Sequence, residues 1–386
     1  MNAGVTTNKR VLRGMTWDHP RGYDPMVAAS ARYAKEQPGV ELVWEKRSLS
    51  EFEERSVEEL AEAFDLMVID HPHMGDVAAS GCLAPFTDSP PLAEVAAGSV
   101  GRSFESYRYD GRQWALPIDA AAQVSAWREG FLDAPPADWE QCIELAGQAR
   151  VVWPLHPVHA LMSFYTLCAG RGTPCAADAE LFVTESDGLA VLDALAVMVA
   201  RVPSACFGMD PIQALELIGT GKADFAPHTY GYISYSRAGF LAHRVRFGEV
   251  PVLSGTGAVE RVGSALGGTG IAVSARSAHV ELAQDFALRV AGSGWQRGLF
   301  FEAGGQPGHA DAWEDDTTNA ETLDFFRGTR ATLEQAYLRP RFPGYVRFQR
   351  AAGEQIATAL RGEQTHATAI GAINALYASA TKGGGS

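Results

Sequence analysis

Hydrophobic and polar positions alternate along the chain with two periods, and the switches between them mark the elements. Val11 to Trp17 reads as a strand, Tyr23 to Gln37 has helical spacing, and Gly39 to Trp44 (GVELVW) is a second strand. Ser50 to Ala63 is rich in Glu with a helical pattern, and Ser50 followed by Glu53 suits an N-terminal cap. Asp65 to Asp70 (DLMVID) is a short apolar run of the kind buried in a parallel sheet. This β-α-β-α-β order predicts an α/β fold with a mostly parallel sheet. Further on, Tyr107 to Pro117 reads as a hairpin tipped by Asp110-Gly111, and Gln123 to Trp127 as a strand. Asp138 to Ala149 is a helix capped by Asp138, and residues 158–168 and 187–201 are helical. Pro211 to Thr220 is a helix with Pro211 in its first turn. Lys222 to Pro227 is a short strand, and Gly268 to Ser274 is a strand leading into a helix over Val280 to Ala291. From Glu321 onward the pattern is almost wholly helical.

Composition narrows the classes. The 386 residues suggest two or three domains, and 46% hydrophobic with 20% charged residues is an ordinary globular mixture. The 46 acidic against 32 basic residues give a net charge of −14, which disfavours nucleic acid and anionic membranes as partners. No run of apolar residues is long enough for a transmembrane helix. MNAGVTTNKRVLRG carries basic residues without an apolar stretch behind them, so it is not a secretion signal as written. The expectation is a cytoplasmic protein or a trimmed mature start. Residues 381–386 (TKGGGS) read as a flexible tail. Cys168 and Cys175 are close enough for one loop-closing bridge in an oxidising compartment, or are two small apolar residues near a turn.

In open α/β sheets ligands bind beyond the carboxyl ends of the strands. The segments there are Trp17-Asp18-His19-Pro20-Arg21-Gly22-Tyr23, Asp70-His71-Pro72-His73-Met74-Gly75 and His228-Thr229-Tyr230-Gly231-Tyr232. Each mixes rings with polar groups, as a small polar ligand with an apolar face requires.

Four stretches, in order, carry a family resemblance: DLMVIDHPHMGDVAASGCLAPFTD from 65, YDGRQWALPIDAAAQVSAWREGFLDAPPADWEQCIELA from 109, GTGKADFAPHTYGY from 219 and LGGTGIAVSARSAHVELAQDFALRVA from 266. Over roughly residues 10 to 380 the chain resembles the extracellular solute-binding proteins of ABC importers, in the sugar-binding branch (family 1) that includes maltose-binding protein. The resemblance implies the periplasmic-binding-protein fold, two discontinuous α/β lobes joined by hinge strands around a ligand cleft. One lobe is expected over residues 10–118 plus 264–320, the other over 119–263 plus 321–380, with hinge strands near Pro117–Asp119 and Val262–Gly268. It further implies a periplasmic or extracellular monomer that closes on a small-molecule ligand, takes no cofactor, and presents its closed form to a permease.

Carried over residue by residue, the family's ligand positions fall on Trp17, Asp18, His19 and Arg21 after the first strand, and on Asp70, His71 and His73 after the third. They fall next on Asp119 past the first hinge strand, Trp153 and His156 in the second lobe, and His228 and Tyr230 after KADFAP. Gly268 and Thr269 at the Gly-Gly turn and Tyr345 in a late helix complete the set. Family members often carry Trp where this chain has Thr269 and His228 with Tyr230. Fewer broad rings and more imidazoles point to a monosaccharide, or a non-sugar with an anionic or hydrogen-bonding group, rather than a long oligosaccharide. An arginine of Arg339-Pro340-Arg341 gripping an anion is the alternative to a plain loop there.

Other chemistries have weaker signatures. His71-Pro72-His73 and His156-Pro157-Val158-His159 lack the convergent ligands and the spacing of a zinc site. Asp18, His19 or His71 could serve acid–base catalysis, but no nucleophile motif accompanies them. Gly267-Gly268-Thr269-Gly270 lacks the Lys-Ser/Thr of a phosphate loop and reads as a turn entering a strand. A cytoplasmic enzyme or a ligand sensor on the same scaffold is the alternative function.

Overall fold

The computed structural model describes residues 9–48, 56–178, 180–253 and 263–383. The expected cap at Ser50 and the hinge position Val262 lie outside them. The chain divides into two compact units, Met1–Ala120 with Gly268–Ala312, and Ala121–Gly267 with Trp313–Ser386.

In the first unit, strand β1 (Arg10–Trp17) pairs in parallel with β2 (Val40–Arg47) and with β3 (Leu66–Ile69). Every residue of β3 is buried, as its unbroken apolar run requires. Helix α1 (Pro20–Glu36) connects β1 to β2, and α2 (Val57–Ala63) precedes β3. A late strand, β9 (Leu266–Val273), returns antiparallel to β3, with Ile69 opposite Gly270. In this unit the ladders of β1 to β2 and to β3 are parallel, as expected, and only the ladder of β3 to β9 is antiparallel. Tyr33 of α1 meets Phe286 edge-to-face at 5.3 Å, and its hydroxyl donates to the Asp285 carboxylate at 2.7 Å. That contact ties α1 to the helix Val280–Ala291 across the core. The hairpin of β4 (Arg108–Tyr109) and β5 (Arg112–Gln113) turns on Asp110 and Gly111, both left-handed at φ 49° and 73°.

Strand β6 (Ala115–Arg128) is continuous through Pro117, where the sequence pattern suggested a hairpin end and a separate strand. Its second-unit portion pairs antiparallel with β7 (Phe225–Tyr230) and β8 (Val245–Gly248). The second unit's helical core is built on the buried helix Pro157–Gly170, which packs against Tyr345–Leu360. The helix Trp139–Leu145 starts at Asp138, whose carboxylate accepts from the Gln141 amide, as its cap position predicts. Pro211 opens the helix Pro211–Gly219 behind an Asp210–Gln213 capping box. Among the described residues no helix is long and apolar enough to cross a membrane.

Two local expectations change. The segment 17–23 is not an open loop: His19 caps α1 and Pro20 begins it, so Arg21, Gly22 and Tyr23 sit in the first helical turn. Proline without an N–H suits that position, and a side-chain acceptor before it completes the start signal. His228 and Tyr230 lie within β7 rather than after it, because Tyr230 pairs with Gln123 and extends the ladder past Pro227.

Candidate functional site

In the first unit, the carboxyl ends of the parallel strands β1 and β3 and the early residues of antiparallel β9 fall on one edge of the sheet. Asp70 caps a single turn, His71–His73, its carboxylate accepting from the His71 amide at 2.8 Å. The same carboxylate lies 3.1 Å from His71 Nδ1, and both His71 and His73 are buried. Tyr107, absent from the sequence-based set, joins these elements. Its hydroxyl reaches the carbonyls of Ile69 at 3.2 Å and Gly268 at 3.4 Å, and its ring stands edge-on to His71 at 6.3 Å. Beside Gly268, Thr269 is 9% exposed and its Oγ1 has no hydrogen-bond partner among the described residues. No local signal marks Tyr107, since its role comes from contacts distant in sequence.

Trp17, Asp18, His19 and Arg21 divide into different jobs. Trp17 is buried in the core. The exposed Asp18 carboxylate pairs with Lys46 at 2.7 Å. His19 Nδ1 accepts from the Arg21 amide at 3.1 Å, and burial followed by the nearby Arg21 charge lowers its pKa to about 4. The carboxylate is thus engaged with Lys46 and the imidazole with the helix start. Arg21 instead clamps Asp119 with two guanidinium bonds, one from Nε at 2.7 Å and one from Nη2. Burial pushes the Asp119 carboxyl up while Arg21 pulls it back, so each group answers the other's charge.

The second unit gathers its own cluster. Trp139, Trp153 and His228 pack as a box, with ring separations of 5.0 Å for Trp139–His228, 6.0 Å for Trp153–His228 and 5.6 Å for the two indoles. Trp139 is not among the site residues expected from the sequence, because the strand that brings His228 to it lies far away in the chain. Trp153 donates to Ser163 Oγ at 3.2 Å and is fully buried. His228 is fully buried, and neither ring nitrogen has a partner among the described residues. Desolvation alone lowers its pKa to about 3. His159 stands 6.5 Å from the Tyr230 ring and 6.3 Å from that of exposed His156. Its pKa is lowered to about 3 by burial, then by the charges of His156 and Arg339. The half-buried Tyr230 ring lies against Gly267, where a Cβ would come within 2.5 Å of it. Tyr345 is placed in the core, its hydroxyl 3.0 Å from that of Tyr165. Burial keeps His19, His159 and His228 neutral at pH 7, and a neutral imidazole both donates and accepts. Beside aromatic rings, such groups suit a hydroxylated solute. Among the described residues no group of three His, Cys, Asp or Glu side chains could hold a metal ion.

A sequence model of the bacterial extracellular solute-binding protein family matches residues 28–297. No curated protein matches the chain in sequence. Among solved structures, the chain is similar to maltose-bound MalE3 of T. maritima, at 16% identity and a TM-score of 0.82, covering 95% of this chain and 98% of that one. It is similar to an ABC transporter solute-binding protein from Agrobacterium radiobacter in complex with ribitol, at 19% identity and TM-score 0.81, covering 97% and 99%. A solute-binding protein from Thermotoga lettingae bound with α-D-tagatose matches at 14% identity and TM-score 0.81, covering 97% and 100%. At these identities the likeness is one of fold.

Proposed function

The chain belongs to the bacterial extracellular solute-binding protein family, and from that premise we propose that it captures a small neutral polyhydroxylated solute, a monosaccharide or sugar alcohol, outside the cytoplasmic membrane for uptake by an ABC importer. It does so as a monomer and without covalent change to the solute. The observation that carries this reading is a set of buried polar atoms with no hydrogen-bond partner among the described residues: Thr269 Oγ1, the ring nitrogens of His228 beside Trp139 and Trp153, and His159 Nδ1 near Tyr230. Each such atom costs about 1–3 kcal/mol when left unmade, so a partner that satisfies it gains from the repair. Neutral imidazoles and hydroxyls favour alcohols over anions, and the Arg21 guanidinium is taken up by Asp119. The ligands of the similar structures, ribitol, tagatose and maltose, set the scale of the solute.

Asp70, His71, His73, Gly268 and Thr269 would serve in the first unit, and His156, His228 and Tyr230 in the second. Trp153 supports the second group from behind through its box with His228. The test is a melting screen with pentitols, ketohexoses, aldohexoses and maltose. One of the smaller solutes should raise the melting temperature, since a ligand at about 100 times its Kd adds about 2.7 kcal/mol to the folded state. Recovery of that solute unchanged after prolonged incubation supports capture. Conversion of the solute, or no shift from any member of the panel, overturns it.

A further inference from the structure

We propose that Cys168 and Cys175 form a disulfide when the chain folds in an oxidising medium. Cys168 lies in the last turn of the helix Pro157–Gly170, and the chain turns back immediately after it. Gly172 is left-handed at φ 80°, and the Thr173 amide donates to the Cys168 carbonyl at 3.0 Å. That turn brings Cys175 back beside Cys168. Both are buried, at 0% and 1% exposure, and both are thiols in this structure. The other cysteines, Cys82, Cys142 and Cys206, are distant in sequence and buried elsewhere in the chain.

The placement gives the bridge a purpose. The Tyr337 hydroxyl donates to the Cys175 carbonyl at 2.6 Å. The Tyr337 backbone in turn bonds Ser264 and Leu266, at 2.6 Å and 2.9 Å. Leu266 opens β9, one of the strands by which the chain passes between its two units. A bridge from Cys168 to Cys175 thus fixes the loop that supports the foot of β9.

The chemistry is thiol–disulfide exchange with a small-molecule disulfide such as oxidised glutathione. The thiolate of one cysteine attacks a glutathione sulfur, forming a mixed disulfide and releasing one glutathione thiolate. The second cysteine then attacks the protein-bound sulfur and releases the other. The pair loses two electrons and two protons, and one glutathione disulfide becomes two thiols. Burial raises the Cys175 thiol well above its ordinary range, so exchange belongs to the folding chain, before this region closes.

The experiment refolds the full chain in a glutathione redox buffer and counts thiols in denaturant without reductant. Of the five cysteines, three should react, and trypsin should release Val151–Arg171 linked to Gly172–Arg201. Reduction should lower the melting temperature by about 3–6 °C, as closure of a short loop implies. In Cys168→Ser all remaining thiols should react and reduction should leave the melting temperature unchanged. Five reactive thiols in the refolded chain, or links through Cys142 or Cys206, would overturn the assignment. The peptide map reads the native sequence and so stands even where Cys168→Ser folds poorly.

Discussion

His228 makes stability depend on acid in a way that can be worked out from its surroundings. The imidazole is fully exposed when the chain unfolds and takes a proton with the ordinary pKa of about 6.5. In the folded state it is fully buried among indole rings, and desolvation lowers its pKa to about 3. Above the unfolded value neither state is protonated and the residue contributes no pH dependence. Below it only the unfolded state binds the proton, so stability falls with pH until the folded site also titrates. At about pH 5 the interval below the unfolded pKa is about 1.5 units, which at about 1.36 kcal/mol per unit is about 2 kcal/mol lost. His228→Phe removes that proton from both states and keeps a ring in the box. Urea unfolding of the ligand-free protein at about pH 8 and about pH 5 measures the effect. The variant should lose about 2 kcal/mol less than the native chain between the two conditions. The difference between pH values is the readout, so a packing cost common to both cancels. Equal losses in the two proteins would refute the reasoning.

Other consequences follow from the same contacts. Arg21→Ala leaves Asp119 buried without its clamp and should destabilise the first unit by about 3–5 kcal/mol in urea unfolding, whereas Arg21→Met combined with Asp119→Leu should recover most of that loss. Gly353→Ala puts a Cβ 2.6 Å from the Pro157 carbonyl oxygen where two helices cross, and should cost about 1–3 kcal/mol by the same assay.

Much of the framework is readable where a local rule acts alone. The apolar run Leu66–Ile69, the Asp110-Gly111 tip, the Asp138 cap and Pro211 at a helix start all appear where their own chemistry puts them. Reading weakens where a distant partner decides. Pro117 argues locally against a strand, yet β6 runs through it. The KADFAP pattern ends at Pro227, but pairing with β6 carries β7 on to Tyr230. Site residues are the hardest case. Arg21 and Asp119 satisfy each other across 98 positions, Tyr345 turns its hydroxyl to Tyr165, and Trp153 turns its indole to Ser163. A polar or aromatic residue in a ligand-bearing segment gives no sign of being taken up inside the protein. Tyr107 and Trp139 show the converse, because their neighbours arrive from distant segments, His71 from the turn after β3 and His228 from β7.

Calorimetric titration decides the central claim, using the solute with the largest effect in the melting screen and comparing the native chain with Tyr230→Ala and His156→Ala. The account predicts one solute per chain, with affinity about tenfold weaker or more in each variant and little change in its ligand-free melting temperature. Native affinity retained in both variants would contradict it.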